Sequence, residues 1–491
     1  MWHKKYKKII IKSRYGLPVI SLLFLLLLSC DSKTVPTLRV VDTENKRLIT
    51  LTGKRTELEN LHSADFVVLG GGLGGIAAAL SICLSGRTAI LVEETDRIAG
   101  CFAVPDTTLY TENRFVETSG TSLSYQTFRT KIREWYRKNA QAPPTLSNTI
   151  FSNIGDFTSD SFCFEGEAAL DVIQEMLEKS IGNGRLTILK RHKVAKVITY
   201  NNRITSLEAV DMDNLIANQI SGWMYIDATR TGYILPLAGV EHVVGSESNA
   251  DTDEPNAADI PDTLGVQDFL YCSGPLPSVE NKDGEEIYIT ELFSDPEQVN
   301  SETLSFPIMQ EPRRIKALTR IVEQDISAEF QKGARAKFFR DSIGIGYSPI
   351  LISSEDVESD TMALQTVPFQ IPLGALIPLR VTNFLAGGGT LGATNIAASA
   401  YQAPSVEWAI GEAAGETAAY CAGKKINSTH DLFKSREHVR GLQEWLVTKR
   451  KAPVYWYDDV TTDDPDFAEA QLKPFGDAEY HTTSTTLHYR Q

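Results

Sequence analysis

The chain has 491 residues, with 48 Lys and Arg against 63 Asp and Glu, a formal net charge of −15 and an apolar fraction of 42%. That acidic balance argues against nucleic acid as a partner and against tight adsorption to anionic lipid, and it favours solubility. The six cysteines form no CxxC, and no His/Cys pair has metal-ligand spacing, so no metal site is expected.

The first predicted element is a leader. Lys4, Lys5, Lys7, Lys8, Lys12 and Arg14 precede an apolar stretch from Leu17 to Ser29, which is too short to span a bilayer comfortably. It ends in Leu27-Leu28-Ser29-Cys30, which resembles a bacterial lipobox, where a small residue precedes a cysteine that is acylated and becomes the new N-terminus. Residues 1–29 therefore read as a lipoprotein signal peptide and Cys30 as the lipidation site, anchoring the protein in the bacterial cell envelope, periplasmic or at the cell surface. An ordinary cleaved signal peptide or an uncleaved anchor is the alternative. Residues 30–62 read as a tether or an edge hairpin, with Leu48 to Thr52 as a short strand. Acylation of Cys30 leaves five cysteines (Cys83, Cys101, Cys163, Cys272 and Cys421), an odd number that implies a free thiol or an intermolecular bond. Cys83 and Cys421 fall in helices expected to be buried. The roughly 460 residues beyond the leader are enough for two cores.

The next elements carry the strongest signal. Asp65 to Leu69 (DFVVL) predicts a buried parallel strand. Gly70-Gly71-Gly72-Leu73-Gly74-Gly75 then predicts a tight turn into a small-residue helix from Ile76 to Cys83. In such a turn Gly70 permits the reversal, Gly72 lets the backbone approach a pyrophosphate, and Gly75 lets helix and strand touch. The helix N-terminus offers free amides and a positive dipole end to the phosphates. A second strand, Thr88 to Val92, ends in Glu93, whose carboxylate can accept both ribose hydroxyls of an adenosine. A lone GxGxxG is weak; strand, turn, helix, strand and acidic residue in this order and spacing predict a dinucleotide site.

Further along, Leu186 to Leu189, Val194 to Tyr200 and Ile204 to Val210 alternate as strands, with Asn201-Asn202 as a hairpin turn. Gly222 to Gly232 is an apolar strand ending in Asp-Ala-Thr. Thr382 to Gly389 is another strand running into glycines, and a helix from Pro404 to Cys421 places Gly411 and Gly415 on its packing face. These pieces resemble the glutathione-reductase-like FAD superfamily, and more closely a family of bacterial FAD-dependent oxidoreductases. The resemblance rests on the Asp-Ala-Thr strand, on Asn383 to Gly388 (NFLAGG), and on Gly411 to Ala419 (GEAAGETAA). Pro312 to Lys316, Asp341 to Tyr347 and Phe369 to Pro378 add to it. It runs from about Ser63 to Lys424.

The resemblance implies an α/β fold: a Rossmann-like FAD-binding domain, with a parallel sheet plus β-meander, and an inserted α+β substrate or cap domain. The implied cofactor is FAD, with Gly70, Gly72 and Gly75 at the pyrophosphate and Glu93 at the adenosine ribose. Arg97 and Gly100 would wrap the phosphates and ribityl chain, Val194 would offer backbone hydrogen bonds to adenine, and Ala228 and Thr229 would end the strand returning to the cofactor. Gly387 and Gly388 would lie against the ribityl chain, and the helix from Pro404 would aim its N-terminal amides at the flavin pyrimidine ring. Two departures stand out. Gly100-Cys101 replaces the usual glycine pair, so Cys101 lines the flavin face or acts as a redox thiol. The usual acidic residue is absent at Gly388, which leaves ribityl contacts to backbone amides, Thr390 or Thr394.

The expected FAD-binding domain is discontinuous (63–105, 160–240 and 370–424), with the cap at 106–159 and 241–369. The cap should hold a helix from Thr127 to Asn139, whose basic stretch Arg129 to Lys138 reads as a solvated face. It should also hold a strand near Glu286 to Thr290 and a helix from Arg314 to Phe330. Residues 425–491 form a C-terminal helical segment and tail, with an amphipathic helix from Val439 to Lys449. No motif names a catalytic acid or base. Substrate contacts are open among His242, Arg313, Arg314, Arg340, Asp341 and Tyr347, each of which also has an ordinary structural reading: a turn cap for His242, a helix brace for Arg313 and Arg314, an ion pair for Arg340 and Asp341. The chain reads as a lipid-anchored oxidoreductase with non-covalent FAD, a small-molecule substrate and an unidentified electron acceptor. A catalytically degenerate flavin-fold binding lipoprotein is the alternative.

Overall fold

The computed structural model describes residues 36–100, 113–139, 162, 164, 166–262, 278–280, 286–288, 313–333, 335–352 and 362–476. Strands β1 (Thr37–Asp42) and β2 (Arg47–Thr52) form an antiparallel hairpin, followed by β3 (Leu58–Ser63), β4 (Phe66–Leu69), helix α1 (Leu73–Leu84) and β5 (Ala89–Val92). Helices α2 (Leu123–Asn139) and α3 (Gly166–Gly182) lead to β6 (Leu186–Leu189) and to a meander of β7 (His192–Tyr200), β8 (Arg203–Asp211) and β9 (Ile216–Ser221). Strand β10 (Met224–Asp227) and, far downstream, β11 (Phe384–Ala386) complete the main sheet, with helices α4 (Asn395–Tyr401) and α5 (Pro404–Lys424) behind them.

The main sheet has five parallel strands in the order β11-β10-β4-β5-β6. β4, β5 and β10 are buried along their whole length, which is why they read as continuous apolar runs rather than alternating ones. Helix α1 lies directly against α5, and small residues set the approach. A methyl group at Gly411 would stand 1.9 Å from the Gly74 carbonyl oxygen, and one at Gly415 would stand 2.5 Å from that of Ala78. The chain is thus mixed α/β, a parallel sheet with helices packed on it and a second sheet, β3-β9-β8-β7, beside it.

Several expectations change. Of the two readings of the segment 30–62, tether or edge hairpin, the hairpin is the one found from Thr37 onward, with the expected strand at Leu48 to Thr52 inside β2. Leu38, Val40, Ile49 and Leu51 bury against Val210, Met212 and Ala217, and β3 pairs with β9. The hairpin is pinned by the buried Asp42, which takes two hydrogen bonds from Arg191, at 2.6 and 2.9 Å. Burial opposes ionisation there, but Arg191, Asn45 and Arg47 hold the Asp42 carboxyl far below its ordinary range.

The helix expected from Arg314 to Phe330 is absent. Arg313–Ile315 instead pairs as a strand with His242–Val244, because Arg314 is fully buried and its guanidinium bonds the Gly245 and Ala393 carbonyls and the Glu247 carboxylate. Only Glu323–Ile326 and Ala328–Phe330 make short helical turns. The solvated face expected on α2 holds at Arg137 and Lys138, which are exposed, but not earlier in the stretch. Arg129 and Arg133 are buried, share the Glu117 carboxylate and stack on the Phe162 ring, at 4.4 and 4.6 Å. Of the expected strand at 286–290, Glu286–Tyr288 forms and pairs with Ser278–Glu280.

After α5, helices α6 (Thr429–Lys434), α7 (Arg436–Trp445) and α8 (Phe467–Gly476) close over the core. The helix expected from Val439 to Lys449 is α7 continued by one wide turn to Arg450. Trp445 and Arg450 donate to the fully buried Glu416 at 2.6 and 2.5 Å, and Ser85 at the end of α1 joins them at 2.9 Å. This clasp ties the C-terminal segment to both long helices. Among the described residues no helix is long and apolar enough to cross a membrane. Cys83 and Cys421 are buried free thiols, as expected of core residues, whereas Cys30, Cys101, Cys163 and Cys272 lie outside the described residues.

Candidate cofactor site

The glycines around the β4–α1 turn divide into two kinds. Gly70 has φ +92°, and a methyl there would meet the Ala228 carbonyl oxygen at 2.5 Å; at Gly74 it would meet the Gly387 oxygen at 2.0 Å, and at Gly75 the Gly70 oxygen at 1.8 Å. Gly387 is closed in the same way by Ile226, at 2.5 Å. These four let strand, turn and helix pack backbone to backbone. Gly72 and Gly388 are different. A methyl at Gly72 would find one described atom within 4 Å, Oε1 of Glu407 at 3.6 Å, and one at Gly388 would find nothing nearer than that oxygen at 3.4 Å. Gly100 borders the same space, its missing methyl 3.2 Å from the Cα of Gly72. Side chains would fill this gap, and glycine keeps it open.

Two helix N-termini meet there. Gly72 is the N-cap of α1 and Ala403 that of α5, with Pro404 at the first position, and neither N-cap residue caps its helix with a side chain. The Gly74 amide of α1 meets only the distant Glu407 carboxylate, at 3.4 Å, so the α1 start, with its positive dipole end, can receive an anion. The loop before Gly100 folds onto the turn: the Ala99 amide bonds the Gly71 carbonyl at 2.7 Å, and both Ala99 and Gly100 adopt left-handed backbone.

Glu93 stands at the end of β5 and braces the turn. Its carboxylate accepts the Gly71 amide at 2.5 Å, and the Thr95 amide and hydroxyl at 2.8 Å each. Burial pushes its pKa up, and the Thr95 and Gly71 amides pull against that. Arg97 is exposed, with Asp96 at 3.7 Å. Val194 is buried, its amide 3.4 Å from the Tyr233 hydroxyl. Ala228 and Thr229 follow β10 beside Gly70, where Thr229 donates twice to the Asp227 carboxylate, at 3.0 and 2.6 Å. Asp227 is fully buried, burial pushes it up to about 6, and its second oxygen has no hydrogen-bond partner. Thr390 and Thr394, the expected hydroxyls for the ribityl chain, are both committed elsewhere: Thr390 donates to the Asp227 carbonyl at 3.0 Å and Thr394 to the Glu254 carboxylate at 2.5 Å.

Of the substrate candidates, His242, Arg313 and Arg314 share one pair of hydrogen-bonded strands. His242 Nδ1 is engaged with the Val240 carbonyl at 2.8 Å. Arg314 is locked in the salt bridge with Glu247 rather than presented to a ligand. The Asp341 carboxylate accepts the Gly374 amide at 2.8 Å, and the Arg340 carbonyl accepts from Gln443 at 3.0 Å. Tyr347 joins the rings of Phe115 and Trp456. Arg313 packs on Gly232, where an added methyl would meet its carbonyl oxygen at 2.8 Å. Sequence reasoning missed Glu407, although an acidic residue in the first turn of the helix opened by Pro404 was a usable signal. Among the described residues no cluster of three His, Cys, Asp or Glu side chains is arranged to hold a metal ion.

The FAD dependent oxidoreductase family profile matches residues 65–305 and 306–446. The chain belongs to this family. FAD is its cofactor, and the parallel sheet with its glycine turn is the Rossmann-like FAD-binding part of the fold. No curated protein matches at a significant level. Similar solved structures include FrdA of E. coli quinol fumarate reductase (11% identity, TM-score 0.34, covering 79% of this chain and 75% of that one). Another is Sdh1 of Mycobacterium smegmatis (13% identity, TM-score 0.35, 73% and 69%). The myxobacterial chondrochloren halogenase CndH shares a smaller part (15% identity, TM-score 0.26, 38% and 41%). In this FAD-dependent oxidoreductase the open glycines Gly72 and Gly388 and the α1 start fit a diphosphate with an attached sugar chain, and Gly70 and Gly75 serve the turn's packing.

Proposed function

We propose that this protein is a lipid-anchored FAD-dependent oxidoreductase of the bacterial cell envelope, which holds its flavin non-covalently and oxidises or reduces a small-molecule substrate. The observation that carries the reading is the open gap between Gly72 and Gly388, faced by the starts of α1 and α5. Bound FAD supplies the hydride or electron chemistry. The chain's part is to bind and orient: α1 presents backbone amides to the diphosphate, and the positive end of α5 offsets negative charge on the flavin. The half-buried rings of Phe115 and Tyr347, in contact with each other, are material from which the cap can shape a substrate pocket. Electrons would leave to an acceptor such as a quinone, oxygen or a redox protein. The lipobox at Cys30 supports attachment through lipid.

The test is the visible absorption spectrum of the protein beginning after Cys30, before and after denaturation and filtration. A flavin spectrum whose chromophore passes the filter supports the reading; flavin retained with the polypeptide refutes the non-covalent attachment. A colourless protein that takes up no added FAD overturns the enzyme assignment in favour of a degenerate binding protein. For the anchor, Cys30→Ser in the full chain should move the protein out of the membrane fraction and abolish labelling by a fatty acid; unchanged partitioning and labelling refute it.

A further inference from the structure

Glu407 is the side chain nearest to both open glycines of the cofactor gap. It sits in the first turn of α5, and its Oε1 is the nearest described atom that a methyl at either Gly72 or Gly388 would meet, at 3.6 and 3.4 Å. The same oxygen reaches the Gly74 amide only at 3.4 Å, a long and weak hydrogen bond. Burial pushes the Glu407 carboxyl upward, while the Gly74 amide and the charge of Arg230 pull it down. It is therefore a carboxyl in a sheltered site, held by the Gly74 amide only weakly.

The chemistry of the cofactor supplies what this carboxyl lacks. A ribityl chain carries several hydroxyls, each a donor, which need acceptors when removed from water. The strand end at Gly387-Gly388-Gly389 has no side chain to accept them, and Thr390 and Thr394 are already committed. Glu93 lies across the turn with its oxygens spent on Gly71 and Thr95. Glu407 approaches from the opposite helix, over Gly388.

We propose that Glu407 is a cofactor-binding residue whose carboxylate accepts a hydrogen bond from a ribityl hydroxyl of FAD. The assignment rests on FAD occupying this gap. A competing role has the opposite sign: a carboxylate at the Gly74 amide could instead compete with the diphosphate for the α1 N-terminus.

The experiment is direct binding of FAD and, separately, of ADP to the flavin-stripped protein, for the wild type, Glu407→Ala and Glu407→Gln. Intrinsic fluorescence follows both ligands, and circular dichroism checks the fold. ADP carries the diphosphate and adenosine but no ribityl chain. Loss of a charge-assisted hydrogen bond should weaken FAD binding by roughly 10-fold or more in Glu407→Ala, with a smaller loss in Glu407→Gln, whose amide oxygen can still accept. ADP affinity should stay within about twofold in both. Tighter binding of FAD and ADP by the variants would establish competition with the diphosphate and overturn the proposal. Equal weakening of both ligands, or no change in FAD affinity, would overturn it too. Should Glu407→Ala fail to fold, the ratio of FAD to ADP effects in Glu407→Gln decides. Wild-type protein that binds neither ligand would refute the cofactor site itself, a result distinct from any failure of Glu407.

Discussion

Glu412, two turns into α5, is the buried acid whose titration the structure makes most consequential. Burial pushes its carboxyl from an ordinary 4.5 up to about 7. Hydrogen bonds from Ser122 and Ser124 and the charge of Arg450 pull it down, while the neighbouring Glu416 adds to the rise. One of its oxygens has no hydrogen-bond partner, nor does the hydroxyl of Thr121, and the two residues line a cavity of about 10 Å³, roughly the space of one water. Because the folded value is raised, the folded protein keeps a proton that the unfolded chain has lost between pH 4.5 and about 7. This contribution to stability is full below pH 4.5 and disappears as pH rises through 7. The gap amounts to roughly 3 kcal/mol. Glu412→Gln is neutral at every pH and has the same shape. Its stability relative to the wild type should therefore climb by about 3 kcal/mol between pH 4.5 and 8.5. Urea denaturation of both proteins with equal bound FAD, followed by tryptophan fluorescence across this range, measures the difference while other titrations cancel. A difference that stays flat with pH would show that Glu412 ionises freely in the folded protein and would refute the argument.

Gly72→Ala and Gly75→Ala should separate cofactor binding from folding. The first places its methyl in the open gap and should leave the apoprotein's melting temperature nearly unchanged while FAD affinity falls by roughly tenfold or more. The second drives a methyl to 1.8 Å from the Gly70 oxygen and should yield little soluble protein; normal melting of Gly75→Ala would contradict the packing. Arg314→Ala should destabilise by about 3–5 kcal/mol, since it strips a buried carboxylate and two carbonyls of their donor, and chemical denaturation checks this. Burial pushes the thiols of Cys83 and Cys421 up to about 11 and about 12. Neither should be alkylated by iodoacetamide at pH 8 until denaturant is added, as peptide mass spectrometry would reveal.

The cofactor turn was legible in the sequence because its determinants are local. Gly70 must turn with positive φ, Gly75 must touch the strand it follows, and Glu93 must end the next strand: three consequences of a single β-α-β unit read within 30 residues. The apolar runs at 66–69, 89–92 and 224–226 likewise declared themselves as strands buried on both faces. Long-range partners could not be read in this way. The sequence Arg314 to Phe330 has helical spacing, but the backbone at Arg313–Ile315 is claimed by His242–Val244, and a buried guanidinium overrides local preference. Arg129 and Arg133 look solvated until Glu117 and Phe162 arrive beside them. Residues 38–51 stayed open between tether and edge hairpin because their core partners, Val210, Met212 and Ala217, lie more than 150 positions away. The division between packing glycines and open ones follows the same logic. Gly74 is closed by Gly387, more than 300 residues downstream, whereas Gly72 stays open and faces Glu407. Sequence alone determined the turn, the cofactor class and the sheet's buried strands, through spacing and local backbone freedom. Only tertiary packing decided which charges are buried, which glycines bind, and which carboxyl leans into the gap, because each of those depends on atoms the chain brings back from far away.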